Sequence, residues 1–157
     1  MTVRALGLAD LEPLLALYRH LNPEDAPRPD AGIVEAVWAE SLASRHIRHV
    51  GGFDGHLLVA ACTICVVPNL TRGCRPYAFI ENVVTAAPHR RKGWGRAVLA
   101  EALSFAWSQN CYKVMLLTGS QDEGVLRFYE SAGFNPGEKR GFVARPQQAV
   151  DGAGSRR

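Results

Sequence analysis

Residues 88–96 read Pro-His-Arg-Arg-Lys-Gly-Trp-Gly-Arg, between an apolar run at 77–84 and a helix-spaced apolar pattern at 97–107. This segment constrains the fold more than any other, because it requires a strand to enter a tight basic turn and a helix to leave it. Gly93 and Gly95 allow a tight backbone and a close approach with no Cβ in the way. The first-turn N–H groups of the helix have no intrahelical partners, and the helix dipole adds about half a positive charge there. Arg90, Arg91, Lys92 and Arg96 surround that end with full charges. Such a turn is suited to a phosphate chain.

The length of 157 residues suits one domain with a real core, expected over 1–146 and followed by a disordered tail at 147–157. A net charge of +3 is too small to mark a nucleic-acid binder without a concentrated basic face. No apolar stretch approaches the roughly 20 residues that span a membrane. The first residues, Met-Thr-Val-Arg-Ala-Leu, lack the apolar core of a secretion signal, so a cytoplasmic location is expected. Cys62 and Cys65 form a C-x-x-C inside a strand-like run, where positions three apart face opposite sides. That placement suits neither a redox pair nor a zinc knuckle, so no metal and four reduced cysteines are expected.

Along the chain, 2–6 reads as a strand. Asp10 reads as the N-cap of a helix using Leu11, Leu14, Leu15 and Tyr18. Three prolines within 22–29 make a loop. A second helix from about Asp30 has Ile33, Val34, Val37, Trp38 and Leu42 as its apolar face. Segments 46–53 and 57–67 read as strands joined at Asp54-Gly55. A polar loop at 69–75 and a strand at 77–85 precede the basic turn and its helix, which runs to about Gln109. A strand at 113–118 and a helix at 122–131 follow, closed by Gly133 as a C′ glycine, with Phe142 and Val143 in a last strand. The whole is an α+β fold: antiparallel at first, then β-α-β-α.

Three features stand in order: the strand Phe79-Ile80-Glu81-Asn82-Val83-Val84-Thr85, then Arg90-x-x-Gly93-x-Gly95, then Phe128-Tyr129-Glu130-Ser131-Ala132-Gly133-Phe134. In this combination the chain resembles the GNAT superfamily of acetyl-CoA-dependent N-acetyltransferases, over about 47–145. The resemblance implies a mixed central sheet flanked by helices and splayed between its two central parallel strands. It implies acetyl-CoA as cosubstrate, with the pyrophosphate on backbone amides of Arg91, Lys92, Gly93, Trp94, Gly95 and Arg96 beside Arg90. The Trp94 side chain itself is expected in the core or on a helix face. Val83, Val84 and Thr85 would pair with the pantetheine arm, and a strand N–H would meet charge on the acetyl oxygen. Tyr129 would protonate the departing thiolate, its phenol being protonated at neutral pH. Glu81 would bind or deprotonate the acceptor ammonium, or would be no more than an exposed strand residue.

A closer resemblance is to glucosamine-6-phosphate N-acetyltransferase, whose I-E-[DN]-V-V, G-C-Y-K-[VI] and F-Y-E-K-x-G-F match 80–84, 110–114 and 128–134. It implies an amino sugar phosphate as acceptor, held near Glu81 and Asn82 and by the segment containing Asn69 and Arg72. It also implies a homodimer in which Arg145 reaches the sugar phosphate. The chain departs from that family at Leu117-Thr118-Gly119, where the family has L-D-C. Two further readings stay open: a protein or peptide amine as acceptor, and a non-catalytic acyl-CoA-binding module. Cys111 has no His/Asp partners in its sequence context, so direct transfer is expected over an acetyl-enzyme.

Overall fold

The computed structural model of the chain describes residues 1–146; the tail expected at 147–157 lies outside them. Five strands form one sheet in chain order: β1 (Thr2–Ala5), β2 (Ile47–Asp54), β3 (Leu57–Val67), β4 (Tyr77–Thr85) and β5 (Val114–Leu116). The first four are mutually antiparallel, whereas β4 and β5 are parallel. The helices are α1 (Leu11–Tyr18), α2 (Ala31–Ala43), α3 (Trp94–Ser108) and α4 (Glu123–Ser131).

Period-two alternation sends β2, β3 and β4 side chains to two cores. On one face Val50, Cys62, Ile64, Ala78 and Ile80 meet the buried stripe Val98, Leu99, Ala102, Phe105 and Ala106 of α3. On the other, Phe53, Ala61 and Val84 meet Leu14, Leu17 and Trp38 of α1 and α2. The α3 stripe is fully apolar and sits over the centre of the sheet, so it fixes where the basic turn at its N-terminus emerges.

Several local expectations are corrected. Asp10 stands at the N-cap position of α1, but its carboxylate makes no capping bond there. It turns back to accept two bonds from the Arg4 guanidinium, 2.7 and 2.9 Å, and one from Gly7 N–H, 2.8 Å. A buried carboxylate gains more from a paired guanidinium than from one amide dipole. Ile33 and Val37 are 54% and 60% exposed, so α2 docks through Trp38 with Val34 and Leu42 alongside. The hairpin turn is centred on Gly55-His56 rather than Asp54-Gly55, because Asp54 pairs with Leu57 and only Gly55 has positive φ.

β5 is shorter than expected, since the Thr118 hydroxyl accepts from Ser120 N–H and starts a turn. Phe142 and Val143 join no strand among the described residues and are 87% and 69% exposed. A two-residue apolar run close to Pro146 has too few ladder bonds to offset its ordering entropy.

Arg4 holds the Asp10 carboxyl below its ordinary pKa, against the opposing effect of burial. Asp10→Ala is expected to cost about 1–3 kcal/mol at neutral pH by leaving Gly7 N–H and Arg4 unpaired. The native pKa is depressed, so this stabilisation is present above about pH 4 and is lost as pH falls through the native value. Urea denaturation at pH 7 and pH 3 should show the gap between wild type and variant narrowing at the lower pH.

Candidate active site

The ladder between β3 and β4 pairs Ala61 with Val84 and Thr63 with Glu81. Two β4 residues, Asn82 and Val83, therefore oppose the single residue Cys62. This is a β-bulge, with Asn82 in the left-handed region at φ 54°. Asparagine tolerates that conformation better than other residues with a Cβ. On the other side, the pairing of β4 with β5 ends at Ile80–Leu116. From Glu81 to Thr85, β4 thus continues past its parallel neighbour, with the bulge at the point of departure. Glu81 and Asn82 are exposed, Val83 packs partly against the α3-side core, and Val84 is buried on the α1 side.

The turn follows directly. A short 3-10 segment (Ala87–His89) leads to Arg90, whose Nε donates to Thr85 O at 3.2 Å and clamps the turn onto the end of β4. Arg91 and Gly93 both have positive φ, 58° and 85°, with Lys92 between them. Such alternation turns successive N–H groups toward one side, as in anion-binding concavities. The first intrahelical bond of α3 runs from Ala97 N to Gly93 O, leaving the N–H groups of Gly93, Trp94, Gly95 and Arg96 free of helical partners. Arg91, Lys92 and Arg96 are exposed beside them, and the Trp94 indole is buried in the core.

Residue Tyr129 is set by the way α4 ends. Gly133 N–H bonds Glu130 O at 2.9 Å and Phe134 N–H bonds Tyr129 O at 3.1 Å, with Gly133 at φ 96°. These are the two bonds of a Schellman motif, accompanied by its apolar contact: the Tyr129 and Phe134 rings stand edge to face, 6.3 Å apart. Phe128 packs at 5.0 Å on the other side of Tyr129. The half-buried phenol has its pKa raised, first by burial and then by the nearby Cys62 and Glu81. Tyr129, packed against the α3-side core, thus keeps its hydroxyl protonated and lies near enough to Glu81 to sense its charge. Burial pushes the Cys62 thiol up to about 12 and also raises Cys111. Thiols held protonated in this way are poor nucleophiles.

A profile of the Acetyltransferase (GNAT) family matches residues 11–134. The chain belongs to the GNAT acetyltransferase family. As a GNAT member it is an acetyl-CoA-dependent N-acetyltransferase. A solved structure of a candidate acetyltransferase from Agrobacterium tumefaciens str. C58 superposes with a TM-score of 0.86 at 47% identity, covering 92% of this chain and 99% of that one. Glucosamine 6-phosphate N-acetyltransferase of Trypanosoma brucei brucei is 29% identical over 153 residues, 89% of this chain and 92% of the relative. Aminoglycoside N(6′)-acetyltransferase type 1 of Serratia marcescens is 29% identical over 142 residues, 87% and 92% of the two chains.

The GNAT fold thus gathers Glu81, Asn82, Val83, Val84, Thr85, the basic turn and Tyr129. It does not gather Asn69, Arg72 or Arg145 with them. Asn69 lies at the opposite end of β4 from the turn, lining a cleft of ≈ 370 Å³ with Arg45, His46 and Gln109. Its Nδ2 is spent on its own loop, donating to Thr71 O, Thr71 Oγ1 and Arg75 O. Arg72 lies over the Tyr112 ring at 5.9 Å, and Arg145 is exposed.

The fold also gathers residues that the sequence motifs did not mark. Tyr18, His49 and Thr63 converge toward Asn82, and Lys113 sits 5.6 Å from both the Tyr77 and Tyr112 rings. The one available signal was polar residues at inward positions of apolar strands.

A Cβ at Gly95 would lie 3.1 Å from Phe128 Cζ and 3.2 Å from Thr85 Oγ1. Gly95→Ala is therefore expected to push α4 away from α3 and move Tyr129 with Phe128. Activity should fall by more than tenfold with a thermal midpoint within a few degrees of wild type, a 1 Å misplacement costing about 100-fold. Steady-state CoA release beside calorimetry checks this.

Proposed function

We propose that the chain transfers acetyl from acetyl-CoA directly to the primary amine of a small molecule bearing an anionic group, an amino sugar phosphate being the best fit. The observation that carries this reading is the bulge where β4 leaves β5 beside the basic turn, with the exposed Glu81 on it near enough to help raise the pKa of the Tyr129 phenol. The residues present suit coenzyme A. The free amides of Gly93 to Arg96 and the charges of Arg91, Lys92 and Arg96 would hold its pyrophosphate, and Arg90 would brace the turn from Thr85. The unpaired edge of β4 at Val83 and Val84 would take the pantetheine amides.

The chemistry then follows from these positions. Glu81 receives the acceptor ammonium and takes its proton, directly or through a water, because only the free amine carries the attacking lone pair. A backbone N–H at the bulge donates to the acetyl oxygen as negative charge develops there. Tyr129, held protonated by burial, gives its proton to the departing thiolate.

The acceptor class rests on charge. Between residues 55 and 100 Glu81 is the only acidic residue, while Arg72, Arg75 and Lys113 cluster near the start of β4 beside Tyr77 and Tyr112. An amine at Glu81 with an anion directed toward those cations is complementary to this face. A polycationic aminoglycoside, the acceptor named for the Serratia relative, would be repelled by it. The four free thiols fit a reducing cytoplasm. Exposed Leu117, Phe142 and Val143, beside the outermost described strand, suit burial in a homodimer that brings Arg145 to a neighbouring site.

Two measurements test this. In a CoA-release screen across amino sugars, amino sugar phosphates, aminoalkylphosphonates, polyamines, peptides and aminoglycosides, anionic amines should give the highest kcat/KM. A preference for polyamines or peptides would discard the acceptor assignment. Binding of acetyl-CoA with no release on any amine would leave only a binding module. Separately, Tyr129→Phe should lower kcat by about 10- to 1000-fold with little change in KM for acetyl-CoA. Unchanged turnover would remove Tyr129 from the reaction.

A further inference from the structure

At the end of the sheet remote from the basic turn, a cleft of ≈ 370 Å³ opens between the α2–β2 connection, the end of β3 and the loop that enters β4. That volume lies in the range of small-molecule sites, about 300–1,000 Å³. Pro76 lines the cleft and Glu81 is five residues further along β4, so about 16 Å separates it from the bulge. Arg72 and Lys113 lie over the Tyr112 ring, which leads into β5, whereas the cleft is walled from the β3 side by His46 and Val66. No step of the mechanism above uses it.

The wall made by the loop before β4 is held at both ends. Asn69 Nδ2 donates to Thr71 O at 2.8 Å, Thr71 Oγ1 at 3.0 Å and Arg75 O at 3.1 Å. Arg75 in turn donates from Nε to Asn110 O at 3.2 Å and from Nη2 to Cys111 O at 3.1 Å, which staples the loop to the connection between α3 and β5. Between these anchors Arg72, Gly73 and Cys74 are three successive left-handed residues, with φ 57°, 68° and 61°. Arg72 and Cys74 carry a Cβ, so the conformation is strained and persists because its ends are fixed. Cys74 is thereby presented on the cleft with an exposed thiol.

The lining divides into an apolar part and a cationic part. Val66, Pro68, Leu70 and Pro76 supply apolar surface, and Leu70 is 91% exposed. Arg45 spends its Nε on His46 Nε2 at 3.1 Å and makes no other hydrogen bond among the described residues. Its two Nη groups are left as a planar fork of donors, the shape that matches a carboxylate or a phosphate. Accepting the Arg45 bond leaves the hydrogen of a neutral His46 ring on Nδ1, a further donor. No acid competes for these donors. Residues 43–53, 55–80 and 102–121 contain Arg45, Arg48, Arg72, Arg75 and Lys113 and no Asp or Glu.

We propose that this cleft is a second ligand site, separate from the acetyl-transfer site, that takes a small organic anion. Its carboxylate or phosphate monoester head pairs with the Arg45 fork, and its apolar body covers Val66, Leu70 and Pro76.

The test uses the whole protein saturated with acetyl-CoA, so that the basic turn is occupied, and needs no acceptor amine. Phenylacetate, phenyl phosphate, inorganic phosphate and neutral phenylacetamide are titrated in turn. One readout is the rate of iodoacetamide alkylation at Cys74, followed by peptide mass spectrometry. The other is the 1H–15N shifts of the Val66, Leu70, Cys74 and Gln109 amides. At least one of the two organic anions should bind with a Kd of about 1 mM or below and shift those amides. At about ten times Kd it should slow Cys74 alkylation about tenfold, by mass action. Phenylacetamide and bare phosphate should each bind at least about tenfold more weakly, and Arg45→Gln should weaken the organic anion by about tenfold or more, the scale of one charge-assisted bond. Arg45 is exposed, so its replacement leaves no buried group unmet.

The tighter of phenylacetate and phenyl phosphate identifies the headgroup, and either supports the site. Failure of both to protect Cys74 at about 20 mM overturns it. So does phenylacetamide or bare phosphate binding as well as the organic anions, or Arg45→Gln binding like wild type.

Discussion

The bulge opposite Cys62 is the constraint on which the site depends. An uninterrupted ladder would carry β4 past β3 with every N–H and C=O committed, and the odd-numbered residues would stay on one face to the end of the strand. One extra residue, accommodated by Asn82 at φ 54°, changes both facts. It sends Val84 to the α1-side core and Val83 toward the α3 side, and it bends the strand just where β5 stops. The change of face between Glu81 and Val84 is a consequence of that single insertion. Local strain of this kind persists where the surroundings over-determine it. Here Thr85 is clamped by Arg90 at one end, and the β3 pairing resumes on both sides of the bulge.

Around the bulge, the apolar core does the positioning and the exposed charges surround it. The buried stripe of α3 fixes the height of its N-terminus relative to the end of β4, so the free amides emerge beside the strand edge. Gly95 lets Phe128 approach α3 closely, and Tyr129 packs beside Phe128 on the α3-side core. The exposed cations divide into two groups: those of the basic turn, at the C-terminal end of β4, and Arg72, Arg75 and Lys113 near its start. A carboxylate midway along the strand, Glu81, lies between these two positive regions.

Legibility differed by the kind of signal. The β4 strand, the basic turn and the Gly133 cap were all readable, because each depends on residues adjacent in sequence. The Asp10 cap was misjudged because Arg4, six residues away, offers a stronger partner than the helix end. The apolar stripe of α2 was read too broadly, since periodicity cannot say that a neighbour covers Trp38 but leaves Ile33 and Val37 open. The strand at Phe142 and Val143 did not form because apolar residues alone do not supply a ladder partner.

The sequence by itself determined the family, the order of elements and the basic glycine turn between strand and helix, because that turn is a local device with local causes. It also marked Glu81 and Tyr129 as candidates. Only the tertiary structure decided that Asn82 rather than a glycine takes the left-handed bulge, and that Asn69 and Arg72 stand at the far end of β4. Only folding could bring Ser41, His49 and Thr63 into one hydrogen-bond chain. Their links span α2, β2 and β3, and no spacing in a linear sequence encodes a row of residues across a sheet.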